Sequence, residues 1–320
     1  MKTTTQFCVQ LTGKGSGRIL KKIVNTNQPC WIHLDYKNPQ AQEWLQNKAG
    51  LSRIVIDGLT DEDTHPYSLK TKKGLFVVLR GVNLTKKAEI EDMIALRFYL
   101  EANRLITVSH RPAYSVQVVL NQLRAHKGPQ DVQETFLRLI EAMTDRIYTV
   151  VEDIADEVDE IEEKVIDVSV RNDTSLRTEL SDVRHRIVGL RRYLAPQKDV
   201  CHALSSVTGA FMPKDAQSRW QEIADALVQA VEELDFARDH SNVSQEELDA
   251  KVNLSISRTM YLLSVVTVIF MPLTLISGML GANVQGIPVS THPFSFWFYC
   301  LLVLVVGIVQ VVLLKWLKLF

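Results

Sequence analysis

The 320-residue sequence predicts an α+β domain, then a stalk of long helices, then two C-terminal transmembrane helices. Three observations carry this. Thr259 to Leu314 holds no Asp, Glu, Lys or Arg, which is room for two apolar spans and a short loop. The first 130 residues show short stretches that alternate apolar and polar, as half-buried strands do. From Asp131 the apolar residues recur every three or four positions, the period of a helix with one buried face.

Taken in order, 6–11 (QFCVQL) and 31–36 (WIHLDY) read as strands, joined through a turn at Gly13-Lys14-Gly15-Ser16-Gly17. The turn lacks the spacing of a phosphate loop. Pro39 opens a helix to about Ala49. Further strands are expected at 53–56, 75–80, 94–99 and 104–108, and the domain closes near Gly128-Pro129. Asp61-Glu62-Asp63 and His65 lie in a loop, where a solvated turn is commoner than a metal site. No catalytic constellation or cofactor motif emerges, so no enzyme and no cofactor is expected. Charge is balanced at 36 Lys+Arg against 37 Asp+Glu, which gives no basic excess for nucleic acid. Cys8, Cys30, Cys201 and Cys300 are scattered and fit buried free thiols better than zinc or disulfides. No N-terminal signal sequence is read, so the residues before the first span are expected in the cytoplasm.

The first stalk helix buries Val132, Phe136, Ile140, Met143, Ile147, Val151, Ile154, Val158, Ile161, Val165 and Val168. Its other face carries Glu152, Asp153, Asp156, Glu157, Asp159, Glu160, Glu162 and Glu163, a solvated face or a metal-binding one. A second helix follows Leu176, Leu180, Val183, Ile187, Leu190 and Leu194, and Pro196 should kink or end it. Phe211–Asp215 is a break. A third begins near Ala216 and meets no Pro before Pro272. Run unbroken to Leu280, it is about 100 Å long.

Steps of four and three along this helix select Glu232, Asp235, Asp239, Asn242, Glu246, Asp249, Asn253, Ser257, Met260, Ser264, Thr267, Met271, Thr274 and Gly278. The first half is acids and amides. The second is hydroxyls, thioethers and a glycine. Two readings stand: each of several copies lends this stripe to a central cation path, or the hydroxyls pack between the two membrane helices. A strict 3.5-residue repeat drifts by about 20° per heptad on a straight helix, so one shared axis requires supercoiling. Gly281-Ala282-Asn283 ends the span, as a helix cap or as a ring of carbonyl oxygens for a cation. The loop's one titratable side chain is His292; one per chain is not a zinc site, though symmetry could assemble a ring of them. Aromatics from Phe294 to Tyr299 form an interfacial belt. Lys251 and Arg258 before the first span, with Lys315 and Lys318 after the second, place both termini inside.

Phe270-Met271-Pro272-Leu273-Thr274, Gly278, Gly281-x-Asn283, a second span and a short basic tail together resemble the CorA superfamily of divalent-cation transporters. The usual Gly-Met-Asn has Ala282 at its centre here, and the loop shows Gly286-Ile287-Pro288 in place of an acid. With Trp31–Tyr36 and Arg192–Val200, these departures look like the zinc-transporting ZntB branch.

The resemblance implies a homopentameric funnel in the bacterial inner membrane. Its divisions are 1–130 (cytoplasmic α/β domain), 131–259 (stalk), 260–280 (pore-lining span), 281–293 (periplasmic loop), 294–314 (second span) and 315–320 (basic tail). It implies Asn283 as the selectivity ring, with Thr274, Met271, Thr267 and Leu263 or Ser264 along the path. Glu246 takes the place of a regulatory acidic site. The partners expected are copies of the chain, membrane lipid and the transported divalent cation. Zinc is favoured, a broad magnesium-type channel is the alternative, and a membrane-anchored sensor is the reading from another class.

Overall fold

The computed structural model describes residues 6–20, 28–62, 64–83, 92–166, 174–206, 216–281 and 293–316. It divides into two compact units, Met1–Gln245 and Glu246–Phe320.

The first unit is built on a seven-stranded sheet. Its strands are β1 (Phe7–Leu11), β2 (Gly17–Leu20), β3 (Cys30–Leu34), β4 (Tyr67–Lys70), β5 (Leu75–Gly81), β6 (Ile94–Leu100) and β7 (Arg104–Val108), in the order β2-β1-β3-β7-β6-β5-β4. All neighbours pair antiparallel except β3 and β7, which run parallel with Ile32 opposite Ile106. The β1–β2 turn is as expected: Gly15 sits at φ 71°, and a Cβ there would meet the Gly128 carbonyl at 3.1 Å.

Helices α1 (Pro39–Asn47) and α2 (Arg53–Thr60) cover one sheet face. Pro39 begins α1 as anticipated, with the Asn38 side chain accepting from the Gln40 amide at 2.9 Å. The strand expected at 53–56 is instead the first turn of α2. Val55 and Leu59, four apart, are buried while Ile54 is exposed, so a helical face makes the core contact. A four-residue apolar run cannot reveal that choice. Against these helices pack Ile32, Leu34, Phe76, Val78, Tyr99, Ile106 and Val108. On the opposite face Phe98 meets Phe136 of α4 (Val132–Ile166), edge to face at 5.3 Å. Strands β2 and β4 and helix α3 (Tyr114–Arg124) were not foreseen.

The α4 stripe is as its period predicted. Ten of the eleven positions are buried, and Val168 lies outside the described residues. Of the two outcomes expected at Pro196, helix α5 (Thr174–Ser205) does not end there: it runs through the proline for nine more residues. Contacts on either side hold it there. The Gln197 side chain, fully buried, accepts the Arg80 backbone N–H at 2.6 Å, and the Tyr193 ring faces the Arg80 guanidinium at 4.6 Å. This hydrogen bond and this cation–π contact to β5 offset the helical bond that proline removes. Helix α6 (Gln217–Gly281) spans 65 residues without interruption, Pro272 included. Its start fits the sequence, while Phe211–Asp215 falls outside the described residues.

His33 of β3 is buried, its Nδ1 2.9 Å from the Thr107 hydroxyl, and that hydroxyl accepts from the Trp31 indole at 2.9 Å. Burial lowers its pKa to about 4, against a small opposing pull from Asp35. The unfolded chain therefore takes up this proton first as pH falls. Stability should decline from about pH 6.5 to about pH 4 by up to roughly 3 kcal/mol, and be insensitive to this group above that window. Thermal melts of His33→Gln should show a flatter acid limb than wild type, and an unchanged limb would remove His33 as the cause. Cys8, Cys30 and Cys201 are buried free thiols, as expected, and Cys300 is half-buried.

Candidate functional site

In the second unit the polar stripe of α6 is laid out as the sequence orders it. Asn253, Ser257, Met260, Leu263, Ser264, Thr267, Met271, Thr274, Gly278 and Gly281 are all exposed, Met271 to 66%. The hydroxyls bond back onto their own helix. Ser264 donates to the Met260 carbonyl at 2.9 Å, Thr267 to Leu263 at 2.8 Å and Thr274 to Phe270 at 2.8 Å. A hydroxyl whose hydrogen is committed in this way keeps its lone pairs, so the stripe presents acceptors, which suit a cation or its water shell.

Helix α7 (Ser295–Trp316) packs on a different side of α6. From Thr259 to Gly281, the residues of α6 that lose exposure are Val265 (8% exposed), Ile269, Pro272, Leu273, Ile276 and Ser277. Ser277 shares a 2.6 Å hydrogen bond with Tyr299, and Leu273 approaches Gly307. At 100° per residue the centre of this face lies roughly 180° from the centre of the stripe. The hydroxyls are therefore not what α6 uses to pack on α7. Both helices are long and apolar enough to cross a membrane.

The acids of the stripe differ in their surroundings. Asp235 accepts two bonds from Arg191 of α5, at 2.6 and 3.2 Å, with Arg238 at 3.4 Å. The Arg191 bond holds its carboxyl below the usual range. Asp239 meets Arg238 at 3.0 Å. Glu232 and Glu246 are exposed and Asp249 is half-buried. The sequence offers these acids as a cation-attracting stripe, and at Asp235 and Asp239 local arginines supply counter-charge. Ala282, Asn283 and His292 lie outside the described residues.

The acidic face of α4 brings one trio together among the described residues. Asp159 and Glu162 converge with His240 of α6, their ligand atoms within 4.8 Å of one another. His240 Nδ1 lies 2.9 Å from Glu162 Oε2, and the Phe236 ring stacks on the imidazole. Two carboxylates and an imidazole can share a divalent cation. Sequence reasoning took the acids and missed the histidine, which follows Glu162 by 78 residues.

Set against known proteins, residues 26–316 match the model of the family described as CorA-like Mg2+ transporter protein. The chain is 37% identical over 300 residues to the divalent cation transporter CmaX of Pseudomonas aeruginosa, covering 92% of this chain and 90% of that protein. The solved full-length CmaX structure superposes with a TM-score of 0.84 at 35% identity, covering 99% of each chain. The zinc transport protein ZntB of Yersinia enterocolitica is 31% identical over 306 residues, covering 94% of this chain and 92% of that protein. The CorA magnesium transporter of Methanocaldococcus jannaschii shares the fold, with a TM-score of 0.85 at 16% identity over 98% of both chains. An α+β domain, a long helix ending in an apolar segment and a C-terminal apolar helix are thus a CorA-like fold, and the chain belongs to the CorA-like Mg2+ transporter family.

Proposed function

We propose that this chain moves divalent metal cations, zinc foremost, across the bacterial inner membrane, through a path that five copies of α6 enclose around a common axis. The observation that carries this is the placement of the stripe. Ser264, Thr267, Met271, Thr274 and Gly278 lie on the side of α6 away from α7. In hydrocarbon, hydroxyls and a glycine on an unpartnered face call for another helix or water. Copies of the same helix around an axis supply both.

In this reading α6 crosses the bilayer over 260–280 and α7 over 294–314. The flanking Lys251, Arg258, Lys315 and Lys318 keep both termini in the cytoplasm. Gly281-Ala282-Asn283 forms the outer mouth, where Asn283 offers a ring of amide oxygens to a hydrated cation. Relatives named for zinc transport and for divalent cation transport support the cargo class. The magnesium reading keeps one support, the description of the family model itself.

Flux into proteoliposomes tests both, with an internal zinc-sensitive dye, magnesium measured in parallel, and a pH gradient imposed or absent. Zinc entering faster under an inward proton gradient supports a coupled zinc importer. Magnesium that follows membrane potential and ignores pH supports the channel reading. No flux from intact oligomer overturns transport, and a monomer by native mass overturns the shared path. Asn283→Ala should reduce selective flux at least ~10-fold with the oligomer intact; equal flux would remove Asn283 from the path.

A further inference from the structure

Two ion pairs join α4 to α6 at the same register. Glu141 meets Arg219 and Glu162 meets His240, each pair 78 positions apart in sequence, so the two helices run side by side in the same direction through the first unit. The first pair is closed. Arg219 donates two bonds to the Glu141 carboxylate, at 2.7 and 2.6 Å, and Arg138, three residues before Glu141, is held by Glu134 at 2.8 Å. The second pair has different chemistry. Its basic partner is an imidazole, which can give up a proton and become a metal ligand, as a guanidinium cannot. Three residues before Glu162 stands not a cation but a second acid, Asp159, on the same face of α4.

The donor atoms of Asp159, Glu162 and His240 lie within 4.8 Å of one another, and His240 Nδ1 is already 2.9 Å from Glu162 Oε2. A tetrahedral ion with bonds of about 2.0–2.1 Å needs donors roughly 3.3 Å apart, which a small rotation of the exposed Asp159 side chain supplies. Asp159 makes no hydrogen bond and no ion pair among the described residues, so no contact there holds its carboxylate back. The Phe236 ring, one turn before His240, stacks on the imidazole at 4.0 Å and sets its plane. The described cations nearest in sequence to the trio hold other acids: Lys164 meets Glu179 at 3.4 Å, and Arg238 meets Asp239 at 3.0 Å and Asp235 at 3.4 Å.

The donor set selects the metal. Magnesium and calcium prefer oxygen donors throughout, whereas one imidazole nitrogen with two carboxylate oxygens suits zinc. Three protein donors leave a fourth position for water, as the partial exposure of the site allows.

We propose that Asp159, Glu162 and His240 form a zinc-binding site within one chain, a clasp that ties α4 to α6 when the metal is bound. It rests on the first unit alone, and its failure would leave the transport reading untouched.

The test is isothermal titration of chelator-treated full-length protein in detergent with zinc chloride, and separately with magnesium chloride, on wild type, Asp159→Asn and His240→Gln. Wild type should bind one zinc per chain at least ~10-fold more tightly than either variant, since losing a ligand costs no less than losing a group that only orients one. Zinc should also raise the melting temperature of wild type by more than that of the variants. Asp159→Asn is the sharper variant. It breaks no ion pair, so its melt without metal should match wild type, and it decides the matter alone if His240→Gln fails to fold. Zinc held along the membrane path is common to all three proteins and cancels in the comparison. Equal zinc stoichiometry and affinity in wild type and Asp159→Asn would reduce His240 and Glu162 to an ion pair and overturn the proposal. Magnesium bound as tightly as zinc at these residues would overturn the choice of metal.

Discussion

Gly278→Leu in the full chain should cut divalent-cation flux at least ~10-fold while leaving the protein as stable as before. A Cβ built at Gly278 meets nothing within 4 Å in the protomer, so the new side chain displaces nothing. Leucine also favours a helix over glycine by about 1 kcal/mol. What the substitution changes is the stripe, where a branched apolar side chain replaces the gap one turn above Thr274. If that face instead meets lipid, leucine is at home there and flux is unaffected. Flux and a melt on the same preparation separate the two. Normal flux at normal stability would take the stripe out of the path.

Phe136→Ala should lower the stability of the first unit by about 3–5 kcal/mol, the usual loss for a buried aromatic truncated to alanine. Phe136 is fully buried. Its ring centre is 5.3 Å from Phe98 of β6 and 5.6 Å from Trp220 of α6, so one side chain joins the sheet, α4 and α6. Truncation opens a cavity where three elements meet and cannot collapse together. A thermal melt should shift down by ten degrees or so, at about 2–4 °C per kcal/mol in a unit of this size. A shift of a degree or two would mean that the neighbouring rings close over the gap.

The long helices were legible because their period is sustained. Val132 to Val165 repeats a buried step for nine turns, and nothing between Ala216 and Pro272 contradicts a helix. The short elements were less so. Residues 53–56 fit a strand equally well until Val55 and Leu59 are seen to share a core, and Pro196 reads as a stop until Gln197 and Tyr193 are seen bonded to Arg80. Both decisions are made by tertiary contacts from elsewhere in the chain.

The stripe itself could be read from spacing, because helical geometry fixes which residues share a face. Which neighbour takes that face could not, since it depends on where α7 packs, which Ser277 with Tyr299 and Leu273 with Gly307 show. The convergence of His240 on Glu162 and the Arg191 grip on Asp235 both join residues distant in sequence. No local pattern announces them.

The burial of the native thiols has a practical consequence for mapping the path. Cys201 has its pKa pushed up to about 12 by burial, and Cys30 is raised by the bond to its neighbour Cys8 and by burial. With negligible thiolate on Cys30 and Cys201 at neutral pH, and with Cys8 only 1% exposed, none of the three should react with maleimides or methanethiosulfonates. Only the half-buried Cys300 needs replacing. Single cysteines can then be walked along α6 from Asn253 to Gly281 in an otherwise native chain, and the positions that water-soluble reagents modify, and that cargo ions protect, will trace the wet side of the helix one residue at a time.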